Sequence, residues 1–234
     1  MTTAWLEQLA RYAAPLDFPA GVTLHPQGAP VRELYAVKSG LVKLTCLNDN
    51  GDQTILGLRA TGYLSGGTAA ALGDVSLAAT VTATACELLR LPVPRFLNLL
   101  RNDLTFAWQW QQMQSLDNQC QQRLTIALRC FDAEQRFEHS LWHLAVTQGL
   151  GTENVKIQLP VPHQEFAELM DVTPAYLARC ITRLEKKGKL RRDRGWLVVP
   201  SLDQLWRVRH WPVRDPGAAD RKQGNTGDGG CFLI

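Results

Sequence analysis

The sequence predicts an α+β fold: an N-terminal antiparallel β-roll, jelly-roll-like in kind, a long central helix, and a C-terminal winged helix-turn-helix. Three observations predict it. Short alternating apolar runs punctuated by glycines follow Phe18 through the first hundred residues. No proline or glycine interrupts the chain between Asp103 and Phe131. The stretch HQEFAELMDVTPAYLARCITRLEKKGKL, 163–190, has the order of two short helices joined by a tight turn and followed by basic residues.

Taken in order, Leu6, Leu9 and Tyr12 give the opening residues a helical stripe. The runs VTLH, ELYAVKSG, LVKLTCL, QTILGL and ATVTATACELLRL read as strands, with Gly21, Gly28, Gly40, Gly51, Gly57, Gly62 and Gly66 at turns. Pro94 to Arg101 reads as a short helix. In the long helix Phe106, Trp110, Met113, Asp117, Cys120, Leu124, Ala127 and Phe131 follow an alternating spacing of four and three, a heptad seam. A helix approaching thirty residues spans about 40 Å, more than a small domain needs, so this seam is expected to pair two copies. Phe106, Trp110, Met113, Cys120 and Leu124 are its interface residues; Asp117 is the misfit, because two facing carboxylates repel.

In the C-terminal part Phe166, Leu169 and Met170 share one helix face, and Asp171 and Val172 make the turn. Thr173 suits an N-cap and Pro174 the first helical position, where no N–H is needed. Leu177, Ile181 and Leu184 then point inward, leaving Tyr176, Arg179, Arg183 and Lys186 on the other side, able to reach phosphates or base edges in a major groove. Gly188 ends the helix, and RRDRGWLVVP reads as a basic hairpin wing that includes Arg192. Residues 151–214 carry twelve Lys or Arg against seven Asp or Glu, whereas the first 150 residues are near neutral. Positive charge gathers where a nucleic acid would lie.

A hydrophobic fraction of 45% with 20% charged residues is ordinary for a globular protein of two domains. No apolar run reaches the roughly 20 residues of a membrane span, and MTTAWLEQLARY lacks the apolar core of a signal peptide, so a cytoplasmic protein is expected. The six cysteines are scattered without the close pairs of a zinc or iron–sulfur site. His139 and His143 lie four apart but lack an evident third metal ligand, so no metal site is expected. No nucleophile elbow or phosphate loop is present, and no catalytic residue is expected. The glycine-rich tail, 213–234, reads as disordered, and its final CFLI imitates a prenylation box by chance.

Order and spacing together resemble the cyclic-AMP receptor protein and fumarate-nitrate regulator (CRP/FNR) superfamily of bacterial transcription factors, over about residues 5–205. The resemblance rests on FPAG at 18–21, QG at 27–28, LYAVKSGLVKL at 34–44, Gly51, IL at 55–56, Gly62 and ACELLRLP at 85–92. A long helix follows, and then a helix-turn-helix with Gln164, Glu165, Arg179 and Leu184 in register. It implies a sensory roll over 1–102, a dimerisation helix over 103–133 and a DNA-binding domain over 134–212. A homodimer on palindromic promoter DNA, working with RNA polymerase, is the implied assembly. Gln164 joins the candidate DNA contacts. Pro174 and Ala175 replace the family's usual residues just after the cap, leaving Arg179 as the retained base reader.

The sensor pattern departs further. Cyclic-AMP-binding members carry a glutamate for the ribose and a later arginine for the cyclic phosphate, but here the cassette reads GYLSGGTAAALGDVSLAATV, with Gly67 at the glutamate position and Ser76 or Leu77 near the arginine. Losing that ion pair speaks against conventional cyclic-AMP sensing. No cysteine precedes Cys46, which speaks against the family's iron–sulfur centre, and His25 reads as an ordinary surface histidine rather than a haem ligand. Ser65, Gly66, Gly67 and Thr68 leave room for a small anion or form a plain tight turn, and Trp108, Gln111 and Gln112 are expected to close over any occupant. The effector stays unidentified. The rival reading is a cyclic-nucleotide or other small-ligand binding signalling module without promoter-specific DNA binding.

Overall fold

The computed structural model describes residues 2–147 and 150–205, which form two compact units dividing inside the long helix, between Arg123 and Leu124. The expected disordered tail, 213–234, and its Cys231 lie outside the described residues.

The first unit opens with α1 (Thr2–Ala10) and continues through β1 (Ala14–Phe18), β2 (Thr23–His25), β3 (Glu33–Ser39), β4 (Val42–Leu47), β5 (Gln53–Arg59) and β6 (Leu64–Ser65). After these come α2 (Gly67–Leu72), β7 (Ala79–Thr82), β8 (Cys86–Pro92), α3 (Val93–Asn102) and α4 (Leu104–Cys130). The strands form two antiparallel four-stranded sheets, ordered β1-β8-β3-β6 and β2-β7-β4-β5. Gly40, at φ 87, lets β3 turn into β4 against β8, where a Cβ would sit 2.3 Å from the Ala85 carbonyl. Three elements of this unit escaped the sequence reading: β1, the two-residue β6 and α2. The β1 strand, APLDF, is short and largely exposed, so it shows no apolar alternation. The α2 helix, GTAAAL, has no amphipathic stripe and begins within the stretch read as a turn.

The helices close one core. Trp5 and Leu9 of α1, Phe96 and Leu99 of α3 and Phe106 of α4 pack with Leu34, Ala36, Leu89 and Leu91 of the sheet. The Trp5 indole donates to the Gly62 carbonyl at 3.1 Å, satisfying its one buried polar group. Asp103 starts α4 by accepting from the Phe106 N–H at 2.9 Å.

The second unit takes the end of α4 and then α5 (Ala133–Thr147), β9 (Glu153–Ile157), α6 (His163–Leu169), α7 (Pro174–Lys186), β10 (Arg191–Asp193), β11 (Trp196–Ser201) and α8 (Leu202–Leu205). Asp132 and Gln135 form a reciprocal capping box, with bonds of 2.9 and 3.0 Å, that starts α5. Phe137 of α5 meets Phe166 of α6 edge-on at 6.0 Å between ring centroids. A three-stranded sheet ordered β10-β11-β9 supplies the wing.

Candidate nucleic-acid interface and sensor pocket

The helix-turn-helix is built as its residues predict. Phe166, Leu169 and Met170 are buried, Asp171 takes the left-handed conformation at φ 52, and the Thr173 hydroxyl accepts from the Tyr176 N–H at 3.2 Å. Leu177, Cys180, Ile181 and Leu184 form the buried face of α7. Gln164, Thr173, Pro174, Ala175, Arg179, Arg183, Lys186 and Arg192 are exposed, and Tyr176 is half-buried.

The candidate cations are not equivalent. Arg179 and Arg183 both lie over the Tyr176 ring, each 5.3 Å from its centroid. Arg183 also pairs with Glu134 of α5 at 3.3 Å, and the same carboxylate binds Lys187. Arg192 is clamped more fully: Glu185 accepts from its backbone N–H at 2.9 Å and from its guanidinium at 2.5 Å, which holds the Glu185 carboxyl below its usual range. Arg192, a DNA-contact candidate on the sequence, thus also joins wing to helix through Glu185. Among the described residues Arg179 and Lys186 make no ion pair, so they present uncompensated charge.

Three supports went unnoticed in the sequence because their partners are distant along the chain. Glu134 organises Arg183 and Lys187. Arg136 donates to the Met170 carbonyl and to the Phe131 carbonyl, both at 3.0 Å, satisfying the ends of two helices. Glu138 binds Lys189 at 2.6 Å; burial pushes its carboxyl up and the ammonium opposes that rise. His139 and His143, also on α5, are buried with ring centroids 6.1 Å apart, and no cluster of three metal-binding side chains occurs among the described residues.

The sensor expectation needs correction. Ser65 is buried in β6 with its hydroxyl bonded to Thr80 at 2.8 Å. Gly66, at φ 82, begins α2, and Gly67 is its first residue. Trp108 and Gln111 are exposed and Gln112 is half-buried, so Trp108 does not close over this segment. The neighbouring indole does: a Cβ on Gly67 would lie 3.2 Å from Trp110 Nε1, and Thr68 bonds to Gln114 at 3.2 Å. The helical period explains the error, since residues 108 and 110 lie about 200° apart around the axis. At Gly67, then, Trp110 takes the space that a side chain would need.

Arg59 is fully buried and its Nε donates to Asp117 Oδ1 at 2.6 Å, with the guanidinium 5.5 Å from the Tyr63 ring. A shallow pocket remains between residues 60–64 and Met113, Gln114, Leu116 and Asp117. His25 is buried rather than on the surface, against Tyr35 at 5.4 Å, and burial lowers its pKa.

The predicted pairing seam is also redistributed. Phe106 is fully buried against Trp5, Tyr12 and Phe96, which removes it from any partner helix. Trp110 and Met113 pack on the same core, Cys120 is buried, and Leu124 is half-buried. Asp117 is no misfit, because Arg59 neutralises it. A different line, Leu104, Trp108, Gln111, Ser115, Asn118 and Gln122, is exposed and keeps the alternating spacing of four and three.

A roll of this type followed by a winged helix-turn-helix defines a two-domain type of DNA-binding regulator. The cyclic nucleotide-binding domain model matches residues 15–103, and the Crp-like helix-turn-helix domain model matches residues 135–208. The chain belongs to the CRP/FNR superfamily of transcription regulators. It is 25% identical over 206 residues to a probable transcriptional activator of Rhizobium leguminosarum bv. viciae, covering 87% of this chain and 84% of that one. It is 24% identical over 188 residues to the fumarate and nitrate reduction regulatory protein of Shigella dysenteriae, covering 79% and 74%. Among solved structures, FixK2 from Bradyrhizobium japonicum matches with a TM-score of 0.70 at 15% identity, covering 82% of this chain and 95% of that one. The c-di-GMP responsive regulator CLP of Xanthomonas campestris matches at 0.68 and 19%, covering 85% and 99%. No helix among the described residues is long and apolar enough to cross a membrane.

Proposed function

We propose that this regulator binds inverted-repeat promoter DNA as a homodimer, in the cytoplasm and in concert with RNA polymerase, and that its roll does not sense cyclic AMP in the conventional way. The observation that carries the DNA reading is the outer face of α7: Arg179 and Lys186 are exposed and unpaired among the described residues, on a helix whose inner face is buried and whose start is capped by Thr173. Arg179 matches guanine bidentately, while Lys186 suits a phosphate. Gln164, Thr173, Pro174, Ala175 and Tyr176 surround them as lesser contacts, and Arg183 contributes after partial neutralisation by Glu134.

The proposed division of labour is a sensor over 1–102, a pairing helix over 103–133 and a DNA-binding domain over 134–212. Pairing falls on the exposed line from Leu104 to Gln122. Asp117 is the one charged residue between these ends, so two such faces meet without like-charge repulsion. In the sensor, Trp110 over Gly67 and the Arg59–Asp117 pair support an occupant other than a cyclic nucleotide, or none. Selection of duplexes from a random pool tests the reading. Enrichment of an inverted repeat with half-sites about one helical turn apart is expected; enrichment of nothing, across preparations with and without cell extract as a source of effector, refutes it.

A further inference from the structure

One carboxylate serves two cations at the C-terminal half of α7. Glu134 stands in the first turn of α5, inside the Asp132–Gln135 capping box that fixes where that helix starts. Its Oε2 lies 3.3 Å from Arg183 Nε, and its Oε1 binds Lys187 Nζ. Arg183 and Lys187 are four residues apart, so the two oxygens bridge one helical turn. The Glu134 side chain is only 17% exposed, whereas those of Arg183 and Lys187 are 47% and 54% exposed. Two cations thus stay at the surface while their shared counter-charge is largely covered.

Arg183 is held at three points. Nε meets Glu134, Nη2 donates to the Cys180 sulfur at 3.3 Å, and the guanidinium lies 5.3 Å from the Tyr176 ring centroid. Among the described residues its Nη1 makes no hydrogen bond, so the group has a set direction and a donor left over. The hydrogen bond to Glu134 also holds the Lys187 ammonium above its usual pKa range. Binding to random sequence is almost wholly electrostatic, and a loose cation follows phosphates in many registers. At a selected site the register is fixed, and a guanidinium already pinned has less freedom to lose on binding. Partial neutralisation by Glu134 therefore weakens random binding more than specific binding.

We propose that Glu134 is a specificity-determining residue that never touches DNA: by occupying Arg183 and Lys187 it suppresses binding to random sequence and leaves base reading to Arg179. It is a positioning residue, acting through the two cations. The inference rests on the DNA-binding reading and adds a residue that raises the ratio of specific to random affinity, the quantity a promoter-seeking protein depends on.

The test measures binding of the full chain to the enriched inverted repeat and to a random duplex of equal length, across a salt series. Glu134→Gln keeps the length of the side chain and removes its charge. It is expected to tighten random binding about tenfold at about 0.1 M salt, the weight of one added phosphate contact, and to steepen the salt slope by about one unit for each cation released. Affinity for the selected repeat is expected to stay within about twofold. In a background of Arg183→Gln with Lys187→Gln, Glu134→Gln is expected to change neither duplex. As a second reading that leaves Glu134 in place, Lys187→Gln is expected to weaken random binding less than it does beside Glu134→Gln. Equal tightening on both duplexes, or an effect that survives loss of both cations, overturns the proposal. Weaker binding to both duplexes with a lower Tm reduces Glu134 to a fold support and overturns it too. If the wild-type protein enriches no duplex, the regulator reading fails first and the selectivity claim with it; if it enriches one and the variants behave in either of these contrary ways, only the Glu134 claim falls.

Discussion

Arg59 at the end of β5 and Asp117 in the middle of α4 meet at 2.6 Å, fifty-eight residues apart, with the arginine wholly buried and the aspartate 26% exposed. The pair ties the roll to the long helix, and Asp117 lines the shallow pocket there with residues 60–64. A buried guanidinium is tolerable only while its counter-charge stays. Asp117→Asn is therefore expected to destabilise the protein by about 2–4 kcal/mol, the lower end reflecting the partial exposure of the aspartate. Arg59→Met combined with Asp117→Leu is expected to recover much of that loss. Urea unfolding of the three proteins checks both statements, and a double variant as unstable as the single one would refute the ion-pair account.

Restoring the family's glutamate should not restore a cyclic-nucleotide site. With Trp110 Nε1 3.2 Å from a Cβ at position 67, Gly67→Glu forces the indole aside. A loss of about 1–3 kcal/mol is expected from such overpacking. Calorimetric titration with cyclic AMP is expected to show no binding in this variant; binding there would show that the indole is a movable lid.

On DNA, Arg179→Ala is expected to cost about 1–3 kcal/mol on the selected site and to blur one base position. Lys186→Ala mainly lowers the salt slope, by about one unit per contact. Arg183→Ala falls between them, because Glu134 already partly neutralises that guanidinium. Equal losses on selected and random DNA for Arg179→Ala would remove it from base reading.

Acid sensitivity follows from His25. Burial lowers its pKa in the folded protein, so the unfolded chain binds the proton more tightly and stability rises with pH. The penalty is absent well above the free imidazole value of about 6.5 and grows as pH falls through and below it. Thermal melts across that window are expected to show a fall in Tm that His25→Phe lessens; an unchanged pH slope in that variant rejects the assignment.

The pairing face of α4 is open to direct measurement. Asn118→Cys, on the exposed line, is expected to give a disulfide-linked dimer on mild oxidation, and Ser115→Glu to shift light-scattering mass toward a monomer by like-charge repulsion. A dimer that ignores both substitutions pairs through another surface.

Much of the DNA-binding end was legible because its signals are local. Thr173 and Pro174 start a helix wherever they stand in this order, and Leu177, Ile181 and Leu184 recur with the helical period. Glycine-bounded alternation likewise located the strands β2 to β5, β7 and β8. The long helix shows where such reasoning stops. Its apolar stripe was visible, but period alone does not say whether the stripe meets a second copy or the core of its own unit.

By itself, the sequence located most of the elements, their order and the capped helix pair, since each depends on residues within a few positions of one another. Only the tertiary structure decided that Phe106 belongs to its own core, that Trp110 rather than Trp108 covers Gly67, that Asp117 answers Arg59, and that Glu185 occupies Arg192. The physical reason is that burial and charge pairing depend on which surface packs against a helix face, and that is set by contacts between residues far apart in the chain.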